Sequence, residues 1–181
     1  MNQPVGEKII QAIENISGFQ LQTETASKNT FLLHQGEVEK YIYYISSGAV
    51  KAVYQSNEEE HTIRFGYKGS IITSVQSILQ NKPSSFSIET IRKTQLIRIP
   101  ADLFFKSKKV DPELKIIYDN LIENLIIQQL EREIDILTSS PLERFQRVWE
   151  RSPLLFQEIP SKYIASYLRM TPETLSRIRK S

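Results

Sequence analysis

The feature that most constrains the fold is a change in the spacing of apolar residues between Phe105 and Asp111. Before it, short segments such as HTIRFGYKG (61–69) and LIRIP (96–100) alternate apolar and polar residues, which is typical of β-strands. After it, the segment 113–140 contains neither Gly nor Pro and repeats apolar residues every three or four positions. This pattern predicts a long helix, and the chain as a whole should be an α+β protein.

The β-rich region runs from about Leu21 to Phe105 and is divided by turn signals such as HQGE (34–37), SSG (46–48) and KPS (82–84). Short strands separated by such turns indicate a β-barrel or jelly roll. A short amphipathic helix is predicted before it, from Val5 to Ile16, because its isoleucines lie three and four positions apart. Gly18 is expected to end that helix.

The long helix should begin at Asp111, a good N-cap, followed by Pro112 in the first helical position. Its apolar residues form two stripes, which implies two buried faces. One face can lie on the β-rich region and the other on a second copy of the chain. We favour a dimer over burial within one chain, because about 25 helical residues extend for ~38 Å. The predicted dimerisation residues are Leu121, Ile127, Leu130, Ile134 and Leu137.

The segment SKYIASYLRMTPETLSRIRK (161–180) matches the spacing of a helix-turn-helix. Ser161 is expected to cap the first helix and Thr171 the second, and Ala165 is small where the helices cross. Arg169 stands in the turn, where such motifs usually have Gly because the backbone is left-handed. A non-Gly residue costs roughly 1–2 kcal/mol at such a position.

The outward face of the second helix predicts contact with duplex DNA. Arg177 can donate two hydrogen bonds to guanine O6 and N7, and Glu173 can accept one from cytosine N4. The net charge of the chain is only +2, but from Thr138 onward eight Lys and Arg stand against four Asp and Glu. The candidate DNA-binding residues are Ser161, Arg169, Thr171, Glu173, Thr174, Ser176, Arg177 and Lys180. The alternative for this segment is a plain helical hairpin with a solvated face.

Composition excludes several classes of site. The chain has no cysteine, which rules out disulfides, iron–sulfur clusters and cysteine nucleophiles, and fits a cytoplasmic location. The only histidines, His34 and His61, are far apart in sequence, so a cupin-type metal enzyme is not expected. The sequence has no apolar run of membrane-spanning length and no signal-peptide pattern. We therefore expect a non-enzymatic protein without a cofactor or a membrane partner.

Three segments together resemble the Crp/Fnr family of bacterial transcription regulators: HQGEVEKYIYYISSGAVKAVY (34–54), GSIITSVQSILQNKPSSFSIE (69–89) and YIASYLRMTPETLSRIRK (163–180). The resemblance implies an N-terminal jelly-roll β-barrel of the cyclic nucleotide-binding type, a long dimerisation helix and a C-terminal winged helix-turn-helix. The corresponding domains would be residues 1–110, 111–137 and 138–181. Where the catabolite-activator branch often has Arg, this chain has Pro172, so its base preference should differ.

The ligand segment departs from the family pattern. Family members that bind cyclic nucleotides use a Gly-Glu pair for the ribose and an Arg-Ser pair for the cyclic phosphate. Here Ser74 stands near the Glu position and Ser84-Ser85 replace Arg-Ser. We therefore expect no useful affinity for cyclic AMP. The resemblance places the candidate pocket at Gly69, Ser70, Ile72, Ser74, Ser84, Ser85 and Phe86.

The resemblance implies a sequence-specific DNA-binding regulator that acts as a homodimer on an inverted-repeat operator. RNA polymerase is a further candidate partner, and the effector is not identified. The haem-sensing branch would need a ligand from His34 or His61, and each is better explained as an ordinary polar residue. The alternative function is a small-molecule sensor that acts through protein contacts without specific DNA binding.

Overall fold

The computed structural model describes residues 5–57 and 59–180. The chain divides into two compact units, Met1–Leu121 and Ile122–Ser181, with the boundary inside helix α4. The predicted three-part division at residues 110 and 137 stays a prediction. The strands are β1 (Thr23–Ala26), β2 (Phe31–Leu33), β3 (Tyr41–Ser47), β4 (Ala49–Ser56), β5 (Glu59–Tyr67), β6 (Ile71–Ile72), β7 (Ser87–Thr90) and β8 (Thr94–Pro100). The helices are α1 (Val5–Ser17), α2 (Val75–Gln80), α3 (Ala101–Val110), α4 (Pro112–Leu137), α5 (Pro141–Arg151), α6 (Leu155–Glu158), α7 (Ser161–Tyr167) and α8 (Pro172–Ile178).

The first unit contains two antiparallel sheets of four strands, in the orders β1-β8-β3-β6 and β2-β7-β4-β5. Apolar side chains from both sheets form a common core, including Tyr43 and Ile45 of one sheet and Val50 and Ile88 of the other. Neither sheet closes on itself within residues 5–57 and 59–121. The predicted barrel is therefore a two-sheet sandwich, because its apolar faces are buried against each other rather than around a single closed sheet.

A second apolar cluster covers the outer face of the β1-β8-β3-β6 sheet. Ile42 and Ile99 point to this side and pack with Ile9, Ile13 and Phe104 from α1 and α3. The predicted N-terminal helix is confirmed as α1, and the chain turns at Gly18 with φ +67°. Asp111 caps α4 as expected, since its Oδ1 accepts from the amides of Glu113 and Leu114 at 2.8 and 3.1 Å.

Two helices of the first unit are missing from the sequence-based prediction. The β-rich region was expected to reach Phe105, but the last strand ends at Pro100 and α3 begins at Ala101. Ala101, Phe104 and Ser107 are buried at intervals of three, which is a helical spacing that alternation could not predict. The short helix α2 likewise lies inside the predicted β-rich region.

The second unit is entirely helical within residues 122–180. Ser140 caps α5 by accepting from the amide of Glu143 at 3.3 Å, with Pro141 in the first turn. No strand follows α8 in the part of the chain that the structure describes, so the wing of the predicted winged helix is not seen there. Helices α5 to α8 occupy the residues between Pro141 and Ile178, which leaves no room for a wing before α8.

Candidate nucleic-acid interface and ligand region

Helices α7 and α8 pack against each other as expected for a helix-turn-helix. Ile164 and Ala165 of α7, Leu168 after it and Leu175 of α8 are all buried. The single methyl group of Ala165 leaves room for a second helix to approach closely. Ala165 was predicted to lie where the two helices cross, and its burial agrees with that prediction.

The turn between the two helices has the left-handed backbone that the sequence predicted, with Arg169 at φ +53°. Its carbonyls are held by Arg144 of α5, whose Nε donates to Leu168 O at 2.9 Å and whose Nη2 donates to Arg169 O at 3.3 Å. Arg144 also donates to the carbonyls of Thr138 and Ser139 before α5. Sequence reasoning missed Arg144, because nothing in the pattern distinguishes it from the other arginines of α5.

Helix α8 presents a polar face to solvent. Thr171 is its N-cap, accepting from the amide of Thr174 at 3.2 Å, and Pro172 is its first residue. Glu173 and Arg177 are exposed on α8, and Lys180 is exposed just beyond its end. The side chains of Arg177 and Lys180 make no hydrogen bond or ion pair within residues 5–57 and 59–180. Ser176 is exposed as well, and Thr174 is half-buried.

Ser161 does not have the capping role that the sequence predicted. Helix α7 begins at Ser161 itself, and its N-cap is Pro160, which has no side chain able to cap. The Ser161 hydroxyl instead accepts a hydrogen bond from Nη1 of Arg179 at 2.9 Å. The hydroxyl is therefore engaged within the chain rather than at the start of the helix.

The carboxylate of Glu173 is suited to accept hydrogen bonds. Its own backbone amide, and then the hydroxyl of Thr171, lower the pKa of Glu173 below its ordinary value. A carboxylate at the first turn of a helix is also favoured by the helix dipole. Glu173 is therefore ionised at neutral pH.

A cluster of charged side chains ties α5 to the C-terminal half of α4. Asp135 is completely buried and accepts from Arg147 Nε at 3.0 Å and from Arg151. Glu131, which is partly exposed, accepts from Nη2 of Arg147 at 2.8 Å and Nη1 of Arg151 at 3.2 Å. Burial alone would lower the pKa of Arg151, but the hydrogen bond and charge of Asp135 raise it. These ion pairs hold the second unit together.

Arg132 connects the same half of α4 to α7. Its guanidinium carbon lies 3.7 Å from the ring centroid of Tyr167, a cation–π contact. Burial lowers the pKa of Arg132, although arginine remains protonated at neutral pH. The side chain thus contributes a buried positive charge behind the helix-turn-helix.

The predicted dimerisation stripe is apolar and exposed along the second half of α4. Ile127, Leu130, Ile134 and Leu137 are each about half exposed or more, and Leu137 reaches 74%. Leu121 differs, because it is partly buried and packs against the apolar cluster of α1 and α3. The stripe on the C-terminal half of α4 therefore consists of Ile127, Leu130, Ile134 and Leu137 together with the exposed Ile126.

The predicted ligand residues do not surround one open site. Ser74 and Ser84 are 1% and 3% exposed, and the Ser84 hydroxyl lies 2.9 Å from that of Ser74 and 2.7 Å from the carbonyl of Phe86. Ile72 is buried in the sandwich core, against which Phe86 packs, and Ser85 is exposed. The remaining two residues, Gly69 and Ser70, form a turn in which the Ser70 hydroxyl accepts from the amide of Tyr67 at 3.0 Å.

Neither a metal site nor a membrane span is found in the described part of the chain. Within residues 5–57 and 59–180, no three Asp, Glu or His side chains are grouped as metal ligands would be. None of the described helices combines the length and the apolar character needed to cross a membrane.

Comparison with known proteins supports the fold assignment. Residues 23–107 match the cyclic nucleotide-binding domain family. No curated protein matches the chain in sequence.

Solved structures extend the likeness over most of the chain. FixK2 from Bradyrhizobium japonicum is 15% identical with a TM-score of 0.74, covering 90% of this chain and 84% of FixK2. A CooA mutant from Carboxydothermus hydrogenoformans is 14% identical with a TM-score of 0.73, covering 88% and 75%. The Thermus thermophilus catabolite activator protein is 18% identical with a TM-score of 0.58, covering 98% and 85%. Residues 23–107 therefore match the cyclic nucleotide-binding domain family, and the predicted resemblance to Crp/Fnr regulators is confirmed at the level of the fold.

Proposed function

We propose that this protein is a sequence-specific DNA-binding transcription regulator. The observation that carries the proposal is the outer face of α8, where Glu173, Arg177 and Lys180 are exposed to solvent. The helix itself is capped at its N-terminus by Thr171 and packed through its inner face. A helix whose inner face is buried on α7 can enter the major groove without rearranging the unit. The Crp/Fnr fold and the basic surplus after Thr138 support the same function.

Each side chain on this face has a distinct expected role. Arg177, which lacks a partner within the described residues, would read guanine, and Glu173 would accept from cytosine N4. Lys180 and the exposed Arg169 and Ser176 would contact phosphates, which fix position rather than sequence. Thr171, Thr174 and Ser161 are weaker candidates than the sequence suggested, because their hydroxyls have partners within the chain.

The regulator is proposed to act as a homodimer through the apolar stripe of α4. The exposed stripe runs along the C-terminal half of a helix of 26 residues, or about 39 Å. A two-fold dimer would present two copies of α8 about 34 Å apart, one turn of DNA. The operator should therefore be an inverted repeat.

Cyclic AMP is not the proposed effector. The positions where family members hold the ribose and the cyclic phosphate are occupied by Ser74 and Ser84, whose hydroxyls bond to each other. Burying the phosphate anion without a charged partner would be costly. We expect calorimetric titration with cyclic AMP or cyclic GMP to give no dissociation constant tighter than about 10 μM. A tighter value would refute this part of the proposal.

DNA binding is tested by selecting random duplexes on the purified full chain and sequencing the bound fraction. The expected result is an inverted repeat with half-sites about 10 base pairs apart, whose binding weakens with salt. Enrichment of no sequence, together with equal affinity for unrelated duplexes, would overturn the proposal. That outcome would favour a sensor that acts through protein contacts.

A further inference from the structure

A cavity of about 400 Å³ opens in the first unit at a place that the predicted ligand segment does not include. Its wall combines Leu32 and Leu33 of β2 with Tyr41 and Tyr43 of β3 and Arg98 of β8. It therefore has walls from both sheets. Its volume lies within the range of ~300–1,000 Å³ that is typical of small-molecule sites.

The guanidinium group of Arg98 is oriented in this cavity by a hydrogen bond from its Nε and by contacts with two tyrosine rings. Nε donates to Oε2 of Glu24 at 2.9 Å, and the guanidinium carbon lies 5.7 and 5.5 Å from the ring centroids of Tyr41 and Tyr43. Neither Nη atom donates a hydrogen bond to any residue in the described ranges 5–57 and 59–180. The arginine is thus oriented by the chain while two of its nitrogens remain available to an acceptor.

Glu39 supplies a second unsatisfied group in the same wall. The residue is 4% exposed, and its Oε1 accepts from the amides of Lys40 and Tyr41, each at 2.9 Å. The Tyr43 hydroxyl lies 3.1 Å from Oε1 of Glu39 and 2.8 Å from the carbonyl oxygen of Leu32. Oε2 is buried and has no hydrogen-bond partner within the part of the chain that the structure describes. Buried polar atoms without a partner are rare in folded proteins, and the backbone amide of Ser74 also acts on this carboxyl group.

The surroundings of Glu39 act on its carboxyl group in opposite directions. Burial raises the pKa of this group, and the amides of Tyr41, Lys40 and Ser74 and the Tyr43 hydroxyl only partly oppose that effect. Because Oε2 has almost no accessible surface, Glu39 forms part of the cavity wall, and Arg98 is the charged group that is open to a ligand.

We propose that this cavity binds a small organic carboxylate with an apolar body. The carboxylate would take two parallel hydrogen bonds from the free Nη atoms of Arg98, and its body would lie against Leu32, Leu33 and Val38. Neither Ser74 nor Ser84 is among the residues that line this cavity.

A single-charged ligand fits the cavity better than a phosphate ester. Arg98 and Lys40 are the basic residues that line it, Glu37 and Glu39 are the acidic ones, and Arg98 is already paired with Glu24. The fork of Arg98 can pair with one carboxylate, but a second negative charge on the ligand would find no further cation without an acidic neighbour. The planar fork of arginine also matches the flat carboxylate group.

The first experiment titrates the full-length protein with benzoate, phenylacetate and hexanoate, with benzamide and phenyl phosphate as comparison ligands. At least one carboxylate should bind with a dissociation constant below about 1 mM, and at least tenfold more tightly than benzamide and phenyl phosphate. Absence of binding by all three carboxylates would overturn the proposal, as would equal affinity for the amide.

Variants locate the site. Arg98→Gln should weaken binding of the best carboxylate at least tenfold, because the charged fork is lost. Lys93→Gln removes the same charge from an exposed position outside the cavity and should leave the affinity unchanged. Glu39→Gln keeps the oxygen that accepts from the amides of Lys40 and Tyr41 and leaves Arg98 in place, so it should retain affinity within about threefold, roughly 0.6 kcal/mol. Equal loss in Arg98→Gln and Lys93→Gln would place the ligand elsewhere.

A measurement on the unaltered protein keeps the test decisive if Arg98→Gln does not fold. With tyrosine rings labelled for NMR, the carboxylate should shift the resonances of Tyr41 and Tyr43, which line the cavity, and leave Tyr54 of β4 unchanged. A shift confined to other tyrosines would contradict the assignment. DNA binding does not enter either readout, so the outcome is independent of the proposed regulatory function.

Discussion

The Ser74–Ser84 pair and the outer face of α8 are both polar, but they differ in whether their side chains have partners within the chain. The two serines are buried and satisfy each other at 2.9 Å, with Ser84 also donating to Phe86 O. Arg177 and Lys180 are exposed and have no partner within residues 5–57 and 59–180. A polar group that is satisfied inside the chain stabilises the fold, whereas one left open is available to another molecule.

The largest expected effect of a substitution is on dimer formation through the apolar stripe of α4. Like the α8 face, this stripe is exposed and has no partner within the described residues. Leu130→Glu would place two like charges in the dimer seam and should raise the dimer dissociation constant more than about 100-fold. Light scattering at micromolar concentration measures this. Gln129→Glu adds the same charge on a different face of the helix and should leave the dimer intact. A wild-type monomer under these conditions would contradict the proposed assembly.

Asp135 is a buried charge whose partners lie within the chain, so its substitution should affect stability rather than binding. Asp135→Ala leaves Arg147 and Arg151 without their buried partner and should lower the free energy of unfolding by about 2–3 kcal/mol. The cost stays below that of a fully buried pair because both arginines keep some contact with water. Glu131→Ala removes a partly exposed acid from the same arginines and should cost less than about 1 kcal/mol. Urea unfolding compares the two, and equal costs would refute the distinction.

Arg177 should affect DNA affinity rather than stability. Arg177→Ala is expected to cost about 1–3 kcal/mol of specific binding and to relax one base position. Lys180→Ala is its counterpart, since loss of a phosphate contact should weaken all sequences alike and flatten the salt slope by about 1. Fluorescence anisotropy at several salt concentrations separates these effects. Unchanged specific affinity in Arg177→Ala would show that α8 does not dock as proposed.

Substitutions in the Ser74–Ser84 pair should have the smallest effect, a modest loss of folding stability. Ser84→Ala leaves the Phe86 carbonyl without its donor and the Ser74 hydroxyl without its hydrogen-bond partner, and it should cost about 1–2 kcal/mol of folding stability. The double variant with Ser74→Ala should cost less than the sum of the two single changes, because the shared hydrogen bond is counted once. Strict additivity would mean that the two hydroxyls do not depend on each other.

The sequence alone determined the features that depend on neighbouring residues. The spacing of apolar residues predicted α1 and α4, and the spacing of the segment 161–180 predicted the two helices α7 and α8. The caps at Asp111 and Thr171 and the left-handed turn at Arg169 were predicted as well. Each of these is set within a few positions of chain, where backbone geometry and side-chain type act directly.

Tertiary structure decided everything that joins distant segments. Three features depend on contacts between residues that are far apart in sequence. They are the packing of the two sheets into a sandwich, the burial of Asp135 against arginines of α5, and the hydrogen bonds from Arg144 to the turn. The same is true of the cavity, where Glu39 and Arg98 come together from distant parts of the chain. No local pattern indicates such pairs, because the free energy of burial and of hydrogen bonding is determined by which side chains meet after folding.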